Sequence, residues 1–152
     1  MCYKAQEIQE RWKISDGDRV GRVWWDGEKW NFEFAGFAEL RWGGTGCRLI
    51  GAPHCYEFPV DVDGRPKGSY RDEFIWLPTQ EQLQRMLPGN LCPAGYVCIL
   101  YDFLFDSHTI EYAKQFSTME ELWLAFVMWR RHRKVWNDEK QDWGEGGLSV
   151  PS

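Results

Sequence analysis

Apolar positions in this chain follow two rhythms, a period near two in the first half and a period near four toward the C-terminus. Residues 19–25 and 29–35 flank Asp26-Gly27, and in the second run Trp30, Phe32 and Phe34 alternate with Asn31 and Glu33. Alternation of this kind predicts strands. Asp-Gly between two such runs predicts a hairpin, because both residues tolerate the positive φ of tight turns. Further strands are predicted over 47–50, 56–62 and 73–77. Pro59 puts the second of these at a sheet edge, since proline cannot donate to a ladder. Gly43-Gly-Thr-Gly46 and the polar stretch 63–69 read as loops.

Helical signals surround and follow these runs. Residues 5–13 predict a short amphipathic helix with Ile8 and Trp12 one turn apart. Thr79 with Gln82 forms a capping-box signature for a helix over 79–87, which Pro88-Gly89 stops. Residues 96–105 are a continuous apolar run that fits a buried strand or a helix carrying Asp102. From Phe116 to Trp136 the chain is apolar over most of a helical circumference, the mark of a buried helix. Ser117 with Glu120 is its predicted capping box, and 118–134 its predicted extent. Met119, Leu122, Trp123, Phe126 and Val127 share one face, with the last four of these predicted to be interior. Strands before helices predict an α+β fold: an antiparallel sheet from 19–77, packed by helices that dominate 79–136. The expected organisation is a single domain over 1–143 and a flexible tail over 144–152, where Gly144, Gly146, Gly147 and a terminal Pro-Ser offer little to order the chain.

Composition adds a surplus of aromatics. The 152 residues are 43% hydrophobic and 16% aromatic, with ten Trp. Each aromatic ring buries about 150–250 Å² when interior, so a body of this size cannot hide all of them. Exposed aromatics are therefore expected, and with them a binding surface. Trp24, Trp25, Trp30 and Trp42 crowd the first third. Neighbouring Trp24 and Trp25 on a strand point to opposite faces, so both are candidate contact residues.

A net charge of −5 gives no global attraction to nucleic acid or anionic membrane. No run is long and apolar enough for a membrane span. Residues 1–8 lack the apolar core of a signal peptide, and five Cys is an odd number, so a cytoplasmic setting with reduced thiols is expected.

Local chemistry is sparse. Zinc would need four N/S ligands in close pairs. Cys47, Cys55, Cys92 and Cys98, with His54 adjacent to Cys55, are the candidates, but no Cys-x-x-Cys occurs and metal-free thiols are expected. None of the five Cys sits in a nucleophile signature with His54, His108 or His132. Asp61 with Asp63, and Asp102 and Asp106 with His108, could be acid–base groups, but they read as strand-end and turn residues. The Gly43 loop lacks the Lys-Ser/Thr of a phosphate cradle. No catalytic residue and no cofactor are assigned.

The best local case for nucleic acid is Arg130, Arg131, Arg133 and Lys134 between Trp129 and Trp136. Cations there would bind phosphate while indoles stack on unpaired bases. The same cations also complement the negative end of a helix.

Three blocks carry a family resemblance: Glu7-Ile-Gln-Glu-Arg-Trp12 with Gly17-Asp18, Phe74-Ile-Trp-Leu-Pro-Thr-Gln-Glu-Gln-Leu-Gln84, and Met119-Glu-Glu-Leu-Trp-Leu-Ala-Phe-Val-Met128 with Lys134-Val-Trp136. Together they resemble an uncharacterised family of small proteins encoded in phages and prophages of low-GC Gram-positive bacteria. That resemblance covers roughly a third of the chain and implies a bacterial or phage cytoplasmic setting and a single domain. It carries no catalytic residues. The expected function is that of a non-enzymatic accessory protein acting by protein–protein binding. The alternatives are a nucleic-acid-associated protein using the basic helix end and an enzyme without a recognisable signature.

Overall fold

A computed structural model describes residues 1–51, 54–89, 91–105 and 107–145, except the side chains of Trp42, Ser107 and His108. The fold is α+β, and the chain divides into two compact units. One holds Cys2 and residues 6–78, the other Met1, residues 3–5 and the chain from Thr79 onward.

The first unit is built on a five-stranded antiparallel sheet of β1 (Arg19–Trp25), β2 (Trp30–Arg41), β3 (Gly46–Ile50), β4 (Tyr56–Pro59) and β5 (Phe74–Trp76). Its strand order is β4-β3-β2-β1-β5. Pro59 does lie at an edge. The hairpin between β1 and β2 turns at Asp26-Gly27, but through a four-residue loop, with Trp25 opposite Trp30. Asp26 makes this loop by accepting the backbone N–H groups of Glu28 and Lys29, both at 2.9 Å. Gly27 takes the φ of 102° that the turn requires.

β2 runs six residues beyond the predicted end at Ala35. A bulge in β2, with Ala35 the extra residue opposite the Val20–Gly21 step of β1, lets the strand pass Ala35 and Gly36 without ending. Gly36 adopts φ 126°, and a Cβ there would sit 2.6 Å from the Ile50 carbonyl oxygen. Glycine at this point therefore marks a bulge, where its sequence context suggested a stop.

Two short helices, α1 (Gln6–Gln9) and α2 (Tyr70–Glu73), flank the sheet. Gln9 protects the β5 edge. Its side-chain amide accepts from the Trp76 N–H at 2.8 Å and donates to the Trp76 carbonyl at 3.0 Å, as a further strand would. The core of this unit gathers Ile8, Val20, Ala38, Leu49, Phe58 and Phe74, with the Phe58 and Phe74 rings stacked 4.8 Å apart. Buried Asp18 is satisfied by the Trp12 indole N–H and the Ser15 backbone, each at 2.9 Å.

The second unit contains α3 (Gln80–Arg85), α4 (Pro93–Phe105), α5 (Ser107–Ala113) and α6 (Met119–His132), followed by a hairpin of β6 (Lys134–Asn137) and β7 (Asp142–Glu145). The apolar run 96–105 is helix. α3 carries the predicted capping box of Thr79 with Gln82. α6 is buried on every side from Trp123 to Trp129, as an all-round apolar helix must be. Its details differ from the sequence reading in three ways. The N-cap is Thr118 paired with Glu121, one residue beyond Ser117 and Glu120. Leu122, predicted to be interior, is half-buried. The helix ends at Arg133, a left-handed residue (φ 56°) whose N–H bonds back to Met128 and Trp129, and the chain then enters β6. Asp142–Glu145 is likewise paired strand, so of the expected tail only 146–152 lies outside the described residues.

Candidate interaction surface

One face of the first unit's sheet is apolar and open. Strand registers place Trp25, Trp30, Phe32, Phe34, Phe37 and Ile50 on it together. Trp25 and Trp30 pair edge-to-face across the hairpin end at 5.6 Å. Phe32 sits opposite Val23, and Phe34 opposite Gly21. Gly21 is what lets the Phe32 ring lie across β1, because a Cβ there would be 2.5 Å from Phe32 Cε2. Past the bulge, Phe37 returns to the same face, 5.3 Å from Phe34 in a T-shaped contact and opposite Ile50 of β3. Trp30 is 63% exposed, Phe32 55% and Trp25 52%; the other three are also exposed.

This arrangement inverts the usual pattern, in which the apolar side of an alternating strand turns inward. The opposite face explains the inversion. There Arg22 is opposite Glu33 and Phe74. Its guanidinium donates to Glu73 at 2.5 Å and to the Tyr56 hydroxyl at 3.2 Å, and Tyr56 donates to Glu33 at 2.7 Å. The Trp24 and Tyr56 rings lie 5.1 and 5.3 Å from the guanidinium carbon. Glu33 is thereby held on the half-buried side, and the aromatics that alternate with it face out.

Within this network each polar group serves another. Burial alone would lower the Arg22 pKa, but its bonds to Glu73 and Tyr56 outweigh that and raise it. Tyr56 has its pKa raised, first by donating to Glu33 and then by burial. A tyrosine held protonated between a carboxylate and an arginine is a tie between β1, β2, β4 and α2, and a poor base.

Of the sequence-derived contact residues, Trp25 lies on the open face and Trp24 on the half-buried one, as neighbours on a strand must. The Trp42 side chain is outside the described residues. At the basic helix end the sequence reading needs correction. Trp129 is 7% exposed and Trp136 5%, both in the core of the second unit. They share no helix face, because α6 ends before Trp136, and neither offers an open ring to a base. Arg130 and Arg133 are exposed, Lys134 half-buried, and Arg131 donates to the Met86 carbonyl.

The remaining candidates are dispersed. Cys47 is buried on β3, while Cys55, Cys92 and Cys98 are exposed. Among the described residues no group of three or more His, Cys, Asp and Glu is placed to hold a metal ion. Asp61 accepts the Asp63 and Arg65 N–H groups at 2.9 Å and an Arg71 bond, which holds its pKa down, the Arg65 bond first, and makes it a turn residue. Asp102 is exposed on α4, Asp106 lies outside the described residues, and so does the His108 side chain. His54 is exposed with its ring 6.1 Å from that of Tyr56. The Gly43 segment is a short 3₁₀ turn leading into β3.

A second apolar surface escaped the sequence reading. Val97, Tyr101 and Phe105 are exposed at four-residue spacing along α4, with the last two rings stacked at 5.1 Å. Among the described residues no helix is long and apolar enough to cross a membrane. A comparison with protein-family models, curated sequences and solved structures gives no match.

Proposed function

We propose that this chain is a non-enzymatic binding protein that works by protein–protein contact through the aromatic face of its sheet. The observation that carries this reading is the contiguous exposure of five aromatic rings and Ile50 on β1, β2 and β3. Contiguous apolar patches on a soluble surface mark interaction sites, and Trp and other aromatics dominate interface energetics. The Arg22–Glu33–Tyr56–Glu73 network ties β1 to β2 on the opposite side of the sheet, so the backbone that carries Trp25 and Phe32 is set before binding.

Membership in a phage or prophage accessory set, and a cytoplasmic location in a bacterial host, rest on the resemblance of the Phe74–Gln84 and Met119–Met128 blocks. The nucleic-acid reading is weakened by the burial of Trp129 and Trp136.

Chemical cross-linking in a lysogenic host, with the wild-type chain and a Trp30→Ser/Phe32→Ser variant side by side, tests the reading. At least one protein, this chain included, is expected to cross-link to the wild type and not to the variant. Identical cross-linked sets from two equally folded proteins would refute it.

A further inference from the structure

The composition and area of the aromatic face point to its occupant. We infer that it packs against the same face of a second copy of this chain, closing a two-layer sandwich about a two-fold axis. This rests on the reading of that face as a binding surface and names its partner.

Area is the first argument. At about 150–250 Å² per aromatic, five rings left roughly half exposed offer on the order of 400–600 Å² of apolar surface per copy. Two copies packed face to face would bury roughly 800–1,200 Å² through these rings alone, which reaches the lower edge of the range of about 1,200–2,000 Å² for stable interfaces before Ile50 is added. The face is therefore large enough for a dimer.

Composition is the second argument. All six side chains are apolar, resembling the interior of a homodimer interface, which is more apolar than the contact surface of a transient complex. A sheet with one apolar face uncovered is half of a sandwich, and aligned sheets pack about 10 Å apart through such faces.

Charge is the third. Strand registers carry the same face on to Glu39, Arg41, Arg48 and Glu57. These residues pair among themselves, Arg41 with Glu39 at 2.8 Å and Arg48 with Glu57 at 3.6 Å. Arg19, opposite Phe37, shares the face, so its polar margin carries three cations and two anions, two of each paired within the copy. The net of one positive charge is screened by solvent and repels an identical copy little. It is also far short of the positive field that a nucleic acid would seek.

The test is the solution mass of the purified full chain, by light scattering on a sizing column across the micromolar range. The wild type is expected at twice the 18.0 kDa chain mass. Trp30→Glu is expected at the chain mass with an unchanged far-ultraviolet circular dichroism spectrum. Its side chain is already mostly in solvent, so the substitution leaves the core untouched. Tyr101→Glu, on the α4 stripe, is expected to remain dimeric. A monomeric wild type would overturn the inference, and so would a dimer that survives both Trp30→Glu and Phe32→Glu. In the first case the cross-linking comparison still decides the broader reading. A monomer that cross-links a different protein through this face leaves that reading standing, whereas one that cross-links nothing through it defeats both.

Discussion

At Phe126 several rings converge. Its centroid lies 4.9 Å from Phe103, 5.7 Å from Trp123 and 6.0 Å from Trp129. Removing the ring would lose the transfer energy of a buried aromatic and leave a cavity that three rigid neighbours cannot fill. Phe126→Ala is therefore expected to cost about 3–5 kcal/mol in a urea titration; a loss under ~1 kcal/mol would show that the site is not core. Two thiols give a pH signature at the same scale. Burial pushes Cys47 from an ordinary 9.0 up to about 11. Cys2, whose thiol donates to the Trp76 carbonyl at 3.1 Å, is pushed up to about 12, again chiefly by burial. Between pH 9 and these values the folded chain holds protons that the unfolded chain has released, so folding is favoured less as pH rises. The thiol contribution is complete below pH 9 and lost through pH 11 to 12. The urea midpoint is expected to fall across that window, and to fall less steeply in Cys47→Ala. An equal slope in the two proteins would remove Cys47 as a cause.

At the scale of elements, what the sequence discloses depends on whether local chemistry alone decides. Thr79 and Gln82 cap α3 as read, because no neighbouring pair competes with them. At α6 two pairs compete, Ser117 with Glu120 and Thr118 with Glu121, and only the backbone separates them. Thr118 is extended, with φ −129° and ψ 159°, and accepts the Glu121 N–H at 3.1 Å. Thr118→Ala is thus expected to cost about 1 kcal/mol, and Ser117→Ala to stay within about 0.5 kcal/mol, by denaturant titration of both. The reverse ranking would restore the cap first read from sequence. The end of α6 was illegible for a different reason. Arg133 adopts a left-handed conformation that glycine normally supplies, so no sequence signal announces the stop. With that stop missed, Lys134 read as helix, Gly144 and Glu145 as tail, and the hairpin between them went unread, although Trp136 and Trp143 sit opposite each other, 5.4 Å between ring centroids.

For the whole molecule, the open aromatic face was partly legible. The aromatic surplus required exposed rings, and the alternation of Trp30, Phe32 and Phe34 put them on one side. Which side faced solvent was hidden, because it follows from Arg22 and Tyr56 meeting Glu33 and from Arg22 meeting Glu73, pairs up to 51 positions apart. Phe37 and Ile50 join the patch only through the β2–β3 register. Binding to single-stranded nucleic acid would need cations and open rings together, and a steep salt response from released counterions. Arg130 and Arg133 supply exposed cations, but Trp129 and Trp136 are interior, and the chain's net charge is −5. Labelled single-stranded oligonucleotide is therefore expected to show no anisotropy change with micromolar protein at either ~50 or ~200 mM salt. The informative comparison is Arg130→Ala/Arg133→Ala, since these side chains are exposed and their loss spares the core, whereas a Trp129 substitution would disturb folding itself. Tight binding at low salt that this double variant abolishes would return the basic helix end to the centre of the protein's function.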